Sequence, residues 1–236
     1  MPIERLSHGT VLLADTQLEG RGQYQRKWLA EPGKNLTFTV GLIPGQPERL
    51  PMLTLSTAFG LIRGLHAFYH EELATEGEQG FCLKWPNDIL RKGKKIAGIL
   101  TESVFNGNKL ERVLIGIGLN VNQESFPPDL DHATSLHRIF GSPQPREELL
   151  GSILKNIEYS YRRWHQHDKE LIKDINQTID GFASWGEVEV NGEQFPKKVK
   201  LLGINESGHL LILTSDFEVK TFTYEQVKFR RHHRES

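Results

Sequence analysis

Apolar positions along the chain fall into two regimes, long periodic segments up to about residue 180 and short alternating ones after it. Residues 10–15 (TVLLAD) are a compact apolar run that predicts a buried strand, followed by a polar, glycine-bearing loop over residues 16–34. Residues 35–42 predict a second strand, stopped by Pro44 and Gly45. Leu50, Leu53, Ala58, Leu61, Ile62, Leu65 and Phe68 recur at helical spacing, which predicts an amphipathic helix over residues 51–70 with Pro51 in its first turn. Residues 81–85 predict a strand, with Trp85 held extended by Pro86. Residues 89–90 and 95–102 flank the turn Arg91-Lys92-Gly93-Lys94 and predict a hairpin. Asn106-Gly107 marks a second turn, leading into a strand over residues 112–121. Two helices should follow, a short one over residues 134–140 and a long one that starts after Ser142-Pro143-Gln144-Pro145 and runs through Trp164.

From Trp185 onward the segments are short, β-branched and separated by the turns Asn191-Gly192, Asn205 to Gly208 and Ser215-Asp216. Residues 185–229 therefore predict a small barrel of about five strands, and residues 230–236 a frayed tail. The expected division is a larger domain over 1–183 and a small one over 184–236.

A chain of 236 residues is long enough to bury a substantial core. Its formal net charge of −1 does not suggest a general nucleic-acid binder, although a local basic pocket is compatible with a balanced total. The single cysteine, Cys82, excludes an internal disulfide and fits a reducing compartment; it reads as a core residue. No signal peptide and no membrane-spanning run is visible, so a cytoplasmic protein is expected and a membrane partner is not. Three Asn-X-Ser/Thr sequons are read as chance.

Four segments carry candidate chemistry. Gly20-Arg21-Gly22-Gln23-Tyr24-Gln25-Arg26-Lys27-Trp28 joins glycines that let a ligand approach the backbone, three cations and a flat ring on which a purine could stack. Its spacing is not that of a Walker loop, and a solvated loop is the plainer alternative. Lys84-Trp85-Pro86-Asn87-Asp88 ends a strand in converging polar groups, although Pro, Asn and Asp are also ordinary turn formers. In Lys94-Lys95-Ile96-Ala97-Gly98-Ile99-Leu100-Thr101-Glu102, Lys94 reads as solvated, whereas Lys95 starts the returning strand and can point inward. In Ile115-Gly116-Ile117-Gly118-Leu119-Asn120-Val121-Asn122 the branched residues share one face, and the glycines and asparagines share the other. That cleared surface ending in an amide is either an adenine-recognition edge or the seat of a tightly packed helix. His66 and His70 stand at metal-ligand spacing, but no third ligand is evident and no metal-ligating residue is assigned. His165, His167, His232 and His233 read as solvated.

These four segments in this order, with Ala133-Thr134-Ser135-Leu136 and the small barrel, resemble the biotin–protein ligase family, of the monofunctional type without a DNA-binding domain. The resemblance covers the chain from about Thr10 onward. It implies an α+β fold: a mixed, largely antiparallel sheet backed by helices, of the class II synthetase and biotin ligase kind, followed by an SH3-like barrel. It implies activation of biotin by ATP and Mg²⁺ to biotinyl-5′-adenylate, then transfer to a lysine of a biotin carboxyl carrier protein domain of a carboxylase. Position by position, Gln17, Gly20, Arg21, Gly22 and Gln23 resemble the biotin and phosphate loop. Lys95 resembles the lysine between biotin's carboxylate and the α-phosphate, and Arg26, Trp28, Asn87 and Asn120 resemble ATP-binding residues. Lys95, Arg21, Lys84 and Asp88 are the expected catalytic set. The resemblance leaves room for a homodimer.

The family also places a Ser-Thr-Asn-type segment, which contacts the ureido ring of biotin, before the first strand seen here. This chain as given opens past it, and Gln23 and Gln25 stand where the family's loop is often more basic. Two other readings therefore stay open: a catalytically impaired protein that holds biotin or its adenylate, and a lipoate or octanoate ligase of the same fold. With no N-terminal helix-turn-helix in the sequence, repression of transcription is not expected.

Overall fold

The computed structural model describes residues 6–23, 27–76 and 80–230. Six strands form the first sheet: β1 (Thr10–Ala14), β2 (Leu36–Leu42), β3 (Cys82–Lys84), β4 (Asp88–Arg91), β5 (Lys94–Asn106) and β6 (Lys109–Leu119). Their spatial order is β1-β2-β6-β5-β4-β3, and every ladder is antiparallel. Parallel pairing enters as two isolated bridges, Leu83 with Ile179 and Lys95 with Ala133. The hairpin between β4 and β5 turns on Lys92 and Gly93, both at positive φ (48° and 77°), the backbone that matches the twist of a two-residue hairpin.

One face of this sheet is covered by α1 (Leu50–Phe68), with α4 (Arg146–His165) packed against α1. Gly60 and Gly64 let the two helices close: a Cβ at either would lie 2.7 Å from the Cα of Ile157 or Ile153. On α4, Leu149, Ile153, Ile157, Ser160 and Trp164 are buried at spacings of three or four, the stripe of a helix facing a core. The core is thus the apolar face of the sheet, including Phe38, Ile99, Ile115 and Ile117, closed by α1.

The remaining strands make a second sheet that curls at the C-terminal end: β7 (Trp185–Val190), β8 (Glu193–Gln194), β9 (Val199–Ile204), β10 (Leu210–Thr214), β11 (Val219–Phe222) and β12 (Val227–Arg230), ordered β11-β10-β9-β7-β12 with β8 on β7. The architecture is the expected α+β fold with a small C-terminal barrel-like unit.

Three expectations need correction. The strand over residues 10–15 forms, but it is not buried. β1 is the sheet's edge, paired only with β2 among the described residues, and Val11, Leu12 and Leu13 are exposed. The helix over residues 51–70 ends at Phe68, and a short helix α2 (His70–Glu76) follows Tyr69. Tyr69 is buried and stacks on Phe140 of α3 (Leu136–Phe140), with ring centroids 4.3 Å apart, so tertiary packing sets the break. A further helix, α5 (Glu170–Thr178), precedes the second sheet; it rests on the two buried residues Leu171 and Ile175 in an otherwise polar segment.

Candidate active site

Sheet geometry first places Lys95. Strict alternation would put Lys95 on the same face of β5 as Ala97 and Ile99, which is the core face. The β4–β5 register instead shifts between Ile89 and Leu90, so that Ile89 faces Ala97 while Leu90 faces Lys95. This bulge leaves Ile96 and Ala97 both fully buried and turns Lys95 to the opposite face. There its Nζ lies 2.6 Å from Asp88 Oδ1, with both side chains about three-quarters buried (26% and 22% exposed). The backbone of Lys95 is clamped on both sides, its N–H donating to His132 O and its carbonyl accepting from Thr134 N, each at 2.8 Å. Lys94 is exposed as expected, but it opens β5, paired with Arg91, and the turn itself is Lys92-Gly93.

Lys84 stands directly across from Asp88 in the β3–β4 register, so the two expected members of the Lys84-to-Asp88 segment are cross-strand neighbours. The side-chain Nδ2 of Asn87 donates to Ile99 O at 2.7 Å, and the backbone carbonyl of Asn87 accepts from Ile99 N at 2.9 Å. That pairing fastens the segment onto β5, a structural use of an amide expected to meet a nucleotide.

The glycine face of β6 has the predicted pleat: Ile115, Ile117 and Leu119 are buried in the core opposite Gly116 and Gly118. What covers Gly118 is neither open space nor a helix but the indole of Trp28, whereas Gly116 has only Leu100 beside it. A Cβ on Gly118 would sit 2.3 Å from Trp28 Cε2, and one on Gly98 would sit 3.4 Å from Trp28 Cζ3 and 3.2 Å from Lys95 Nζ. Lys95 Nζ is 5.7 Å from the centre of the indole. Trp28 is carried there by a small fold of the loop, in which Trp28 N donates to Gly20 O at 2.9 Å and Arg21 bridges to Lys27. Of the buried side-chain polar atoms that lack a hydrogen-bond partner among the described residues, two lie here: Trp28 Nε1 and Asn120 Oδ1. The Asn120 amide nitrogen donates to Thr134 O at 3.0 Å, which fixes the side chain with its oxygen unfilled. A buried acceptor left open costs free energy unless something donates to it, so Asn120 presents a site for a donor.

Around this floor runs a cleft of about 2400 Å³ between the two sheets. Gln17, Arg21, Gly22, Gln23, Lys84, Asp88 and Asn120 all line it, whereas Gly20 is buried beneath the loop. Arg21 is largely solvated, its guanidinium 3.9 Å from Glu102. Arg26 lies outside the described residues. The structure thus gathers most of the residues singled out in the sequence into one cleft.

Sequence reasoning missed a set of buried amides behind it. Asn35 Nδ2 donates to Gln123 Oε1 at 2.7 Å, and Asn35 Oδ1 accepts from Val121 N at 2.9 Å, beside Asn120. Gln123 Oε1 also receives Glu31 N at 3.3 Å, so the far end of the loop and the end of β6 share one network. The partners are 86 to 92 residues apart, and no local signal points to them.

The comparisons agree with the geometry. The two sheets and the helices packed on them share the fold of the solved biotin protein ligase from Aquifex aeolicus in complex with biotin and ATP. That structure superposes with a TM-score of 0.81 at 30% identity, covering 98% of this chain and 93% of that one. The family model for the biotin/lipoate A/B protein ligase family matches residues 1–120, and the chain belongs to that family. A bifunctional ligase/repressor BirA from Bacillus spizizenii is 35% identical over 214 residues, 88% of this chain and 62% of that protein. A biotin–[acetyl-CoA-carboxylase] ligase from Mycobacterium tuberculosis is 29% identical over 188 residues, 79% of this chain and 66% of the relative. The chain thus spans just under two thirds of the length of these curated relatives.

Proposed function

We propose that this protein activates biotin with ATP and passes the biotinyl group to a lysine of a biotin carboxyl carrier domain, with residues 1–183 as the catalytic unit and 184–236 as the C-terminal one. The observation that carries this reading is the Lys95–Asp88 pair, held at 2.6 Å at the edge of a glycine floor that ends in the open acceptor of Asn120. In the first step a carboxylate oxygen of biotin bonds to the α-phosphorus of ATP, the α–β bridging bond breaks, and pyrophosphate leaves. Two anions must meet, and a fixed cation between them is worth most where water is scarce. Lys95 is that cation, and Asp88 keeps its ammonium in place beforehand. In the second step the acceptor amine bonds to the carbonyl carbon of the mixed anhydride, AMP leaves and the amine gives up a proton.

Gln17, Gly20, Arg21, Gly22 and Gln23 are proposed for biotin and its activated carboxyl. Arg26, Trp28, Asn87 and Asn120 are proposed for the nucleotide, with Asn120 Oδ1 accepting from the adenine amino group. Lys84 adds a second positive charge beside Asp88. Among the described residues no group of three His, Cys, Asp or Glu side chains could hold a metal. Mg²⁺ keeps several waters and binds substrate phosphates with few carboxylates, so we place it on the triphosphate, where it would neutralise phosphate charge. The Aquifex relative in complex with biotin and ATP supports the ligands, and the Mycobacterium relative supports a carboxylase as acceptor. A cytoplasmic location fits the single Cys82, and among the described residues no helix is long and apolar enough to cross a membrane.

The test is biotin-dependent exchange of labelled pyrophosphate into ATP. Exchange with biotin but not with lipoate or octanoate is expected. A folded sample that binds biotin without exchange would replace the ligase by a binding protein.

A further inference from the structure

Residues 120–123, which carry the chain past the end of the glycine floor, are held at every step. Asn120 N donates to Ile96 O and Asn122 N to Lys34 O, each at 2.8 Å, and Val121 N donates to Asn35 Oδ1 at 2.9 Å. Gln123 closes this run and is 3% exposed. Its Oε1 accepts from Asn35 Nδ2 at 2.7 Å and from Glu31 N at 3.3 Å, and its Nε2 donates to Ser125 O at 2.9 Å. An amide oxygen has two lone pairs, and here both are taken. The backbone carbonyl of Gln123 accepts from Ser135 Oγ at 2.6 Å. Ser135 follows Thr134, whose carbonyl holds Asn120 Nδ2 and whose N–H holds the carbonyl of Lys95.

Much of the loop over residues 16–32 is built on itself. Trp28 N donates to Gly20 O, Arg21 bridges to Lys27, and Gly33 N closes the neck on Asp15 O at 2.8 Å. Glu31, three residues after Trp28, is where this loop is fastened to the chain beyond β6. We propose that Gln123 is a positioning residue for the nucleotide: it fixes the loop's C-terminal end, and with it the indole of Trp28, relative to Asn120. The proposal rests on the ligase reading, in which Trp28 and Asn120 both serve ATP. Gln123 itself lies behind the cleft rather than in its lining. An apolar side chain of similar size could fill its space; what the amide adds is one acceptor shared by N–H groups from two parts of the chain. The biotin end of the loop begins at Gln17, three residues after β1 ends at Ala14, so β1 rather than Gln123 sets its place. The two substrates should therefore respond unequally.

The experiment measures affinity for α,β-methylene-ATP, and separately for biotin, by titration calorimetry in the wild type, Gln123→Leu, Gln123→Glu and Glu31→Pro, with a melting curve for each. Gln123→Leu, which fills the space and accepts nothing, should weaken nucleotide binding about tenfold while biotin binding stays within about twofold of wild type. In pyrophosphate exchange the same variant should raise KM for ATP and leave kcat at saturating ATP little changed. Gln123→Glu keeps an acceptor for both N–H groups and should recover most of the affinity. Glu31→Pro removes only the loop's own N–H, at a residue outside the core, and should reproduce the loss even where Gln123→Leu is too unstable to measure. A residue that merely holds the fold together would lower the melting temperature of Gln123→Leu and leave both affinities unchanged. That result, or equal weakening for the two ligands, overturns the proposal. Nucleotide binding without biotin-dependent exchange in the wild type overturns the ligase reading instead, and the affinities still decide the role of Gln123.

Discussion

The indole Nε1 of Trp85 donates to the carbonyl oxygen of Gly208 at 3.1 Å, which ties the Lys84-to-Asp88 segment to the turn between β9 and β10 of the C-terminal unit. Gly208 sits at φ +79° with no room to spare: an added Cβ would lie 3.0 Å from Leu55 Cδ1 and 3.2 Å from Pro51 Cβ at the start of α1. The turn is therefore wedged between α1 and the strand end that carries Asp88. Gly208→Ala should destabilise the protein by roughly 1–3 kcal/mol, through left-handed backbone strain and overpacking. Trp85→Phe keeps the ring and loses the hydrogen bond, at about 1 kcal/mol. Because both act on one contact, the double variant should cost less than the sum, and pyrophosphate exchange should fall in each single variant. Strict additivity in denaturant titrations, with exchange untouched, would show that the contact does not position Asp88.

Lys95 and its neighbour Lys94 give a sharper contrast. Lys95→Ala removes the one charge that Asp88 holds at 2.6 Å, and should slow adenylate formation on the order of a hundredfold, by analogy with the loss of one oxyanion donor. Lys94 is exposed at the start of β5, beside the hairpin turn, so Lys94→Ala should change little. Transfer from preformed adenylate should suffer less than formation in Lys95→Ala, since that step no longer joins two anions. Single-turnover measurement of both half-reactions decides it; equal small effects would return Lys95 to the role of a solvated hairpin residue.

Gly118→Ala tests the floor itself. The new methyl would stand 2.3 Å from Trp28 Cε2, so the indole must leave the glycine face. The core face of β6 is untouched, which confines the damage to the cleft. We expect a shift in Trp28 emission and an ATP affinity weakened by roughly 1–3 kcal/mol, the usual scale of overpacking. Emission and affinity like those of wild type would mean that Trp28 takes no part in nucleotide binding.

Much of this was legible in the chain because the signals were local. The pleat of Ile115, Gly116, Ile117 and Gly118 is a property of consecutive residues, and so is the Lys92-Gly93 turn. The inward aim of Lys95 was anticipated, but its cause was not: a bulge at Ile96 depends on the register with β4, which no single segment encodes. The edge position of β1 was misread for the same reason, since TVLLAD has the apolar content of a central strand and only sheet order exposes it. α5 was missed because two buried residues make too small a stripe to outweigh its polar sequence. The amides of Asn35 and Gln123 look like loop residues until the chain brings them together across 88 positions.

His66, read from sequence as a weak metal candidate, has a different use. Its Nε2 accepts from the backbone N–H of Phe81 at 2.9 Å, which requires the neutral ring. Burial pushes its pKa below the ordinary 6.5, helped by the positive charges of Arg91 and Arg63. A histidine whose folded pKa is lowered binds fewer protons in the native state than in the unfolded one as the pH drops. Its contribution is therefore fully present above the unfolded pKa near 6.5, and is lost progressively as pH falls from there towards the folded value. The melting temperature should accordingly decline between about pH 7 and pH 5, within the range where histidine changes charge. His66→Gln should lower stability at pH 7.5 and flatten that decline, because glutamine cannot take up a proton. Parallel curves for the two proteins across this range would show that another group sets the acid sensitivity.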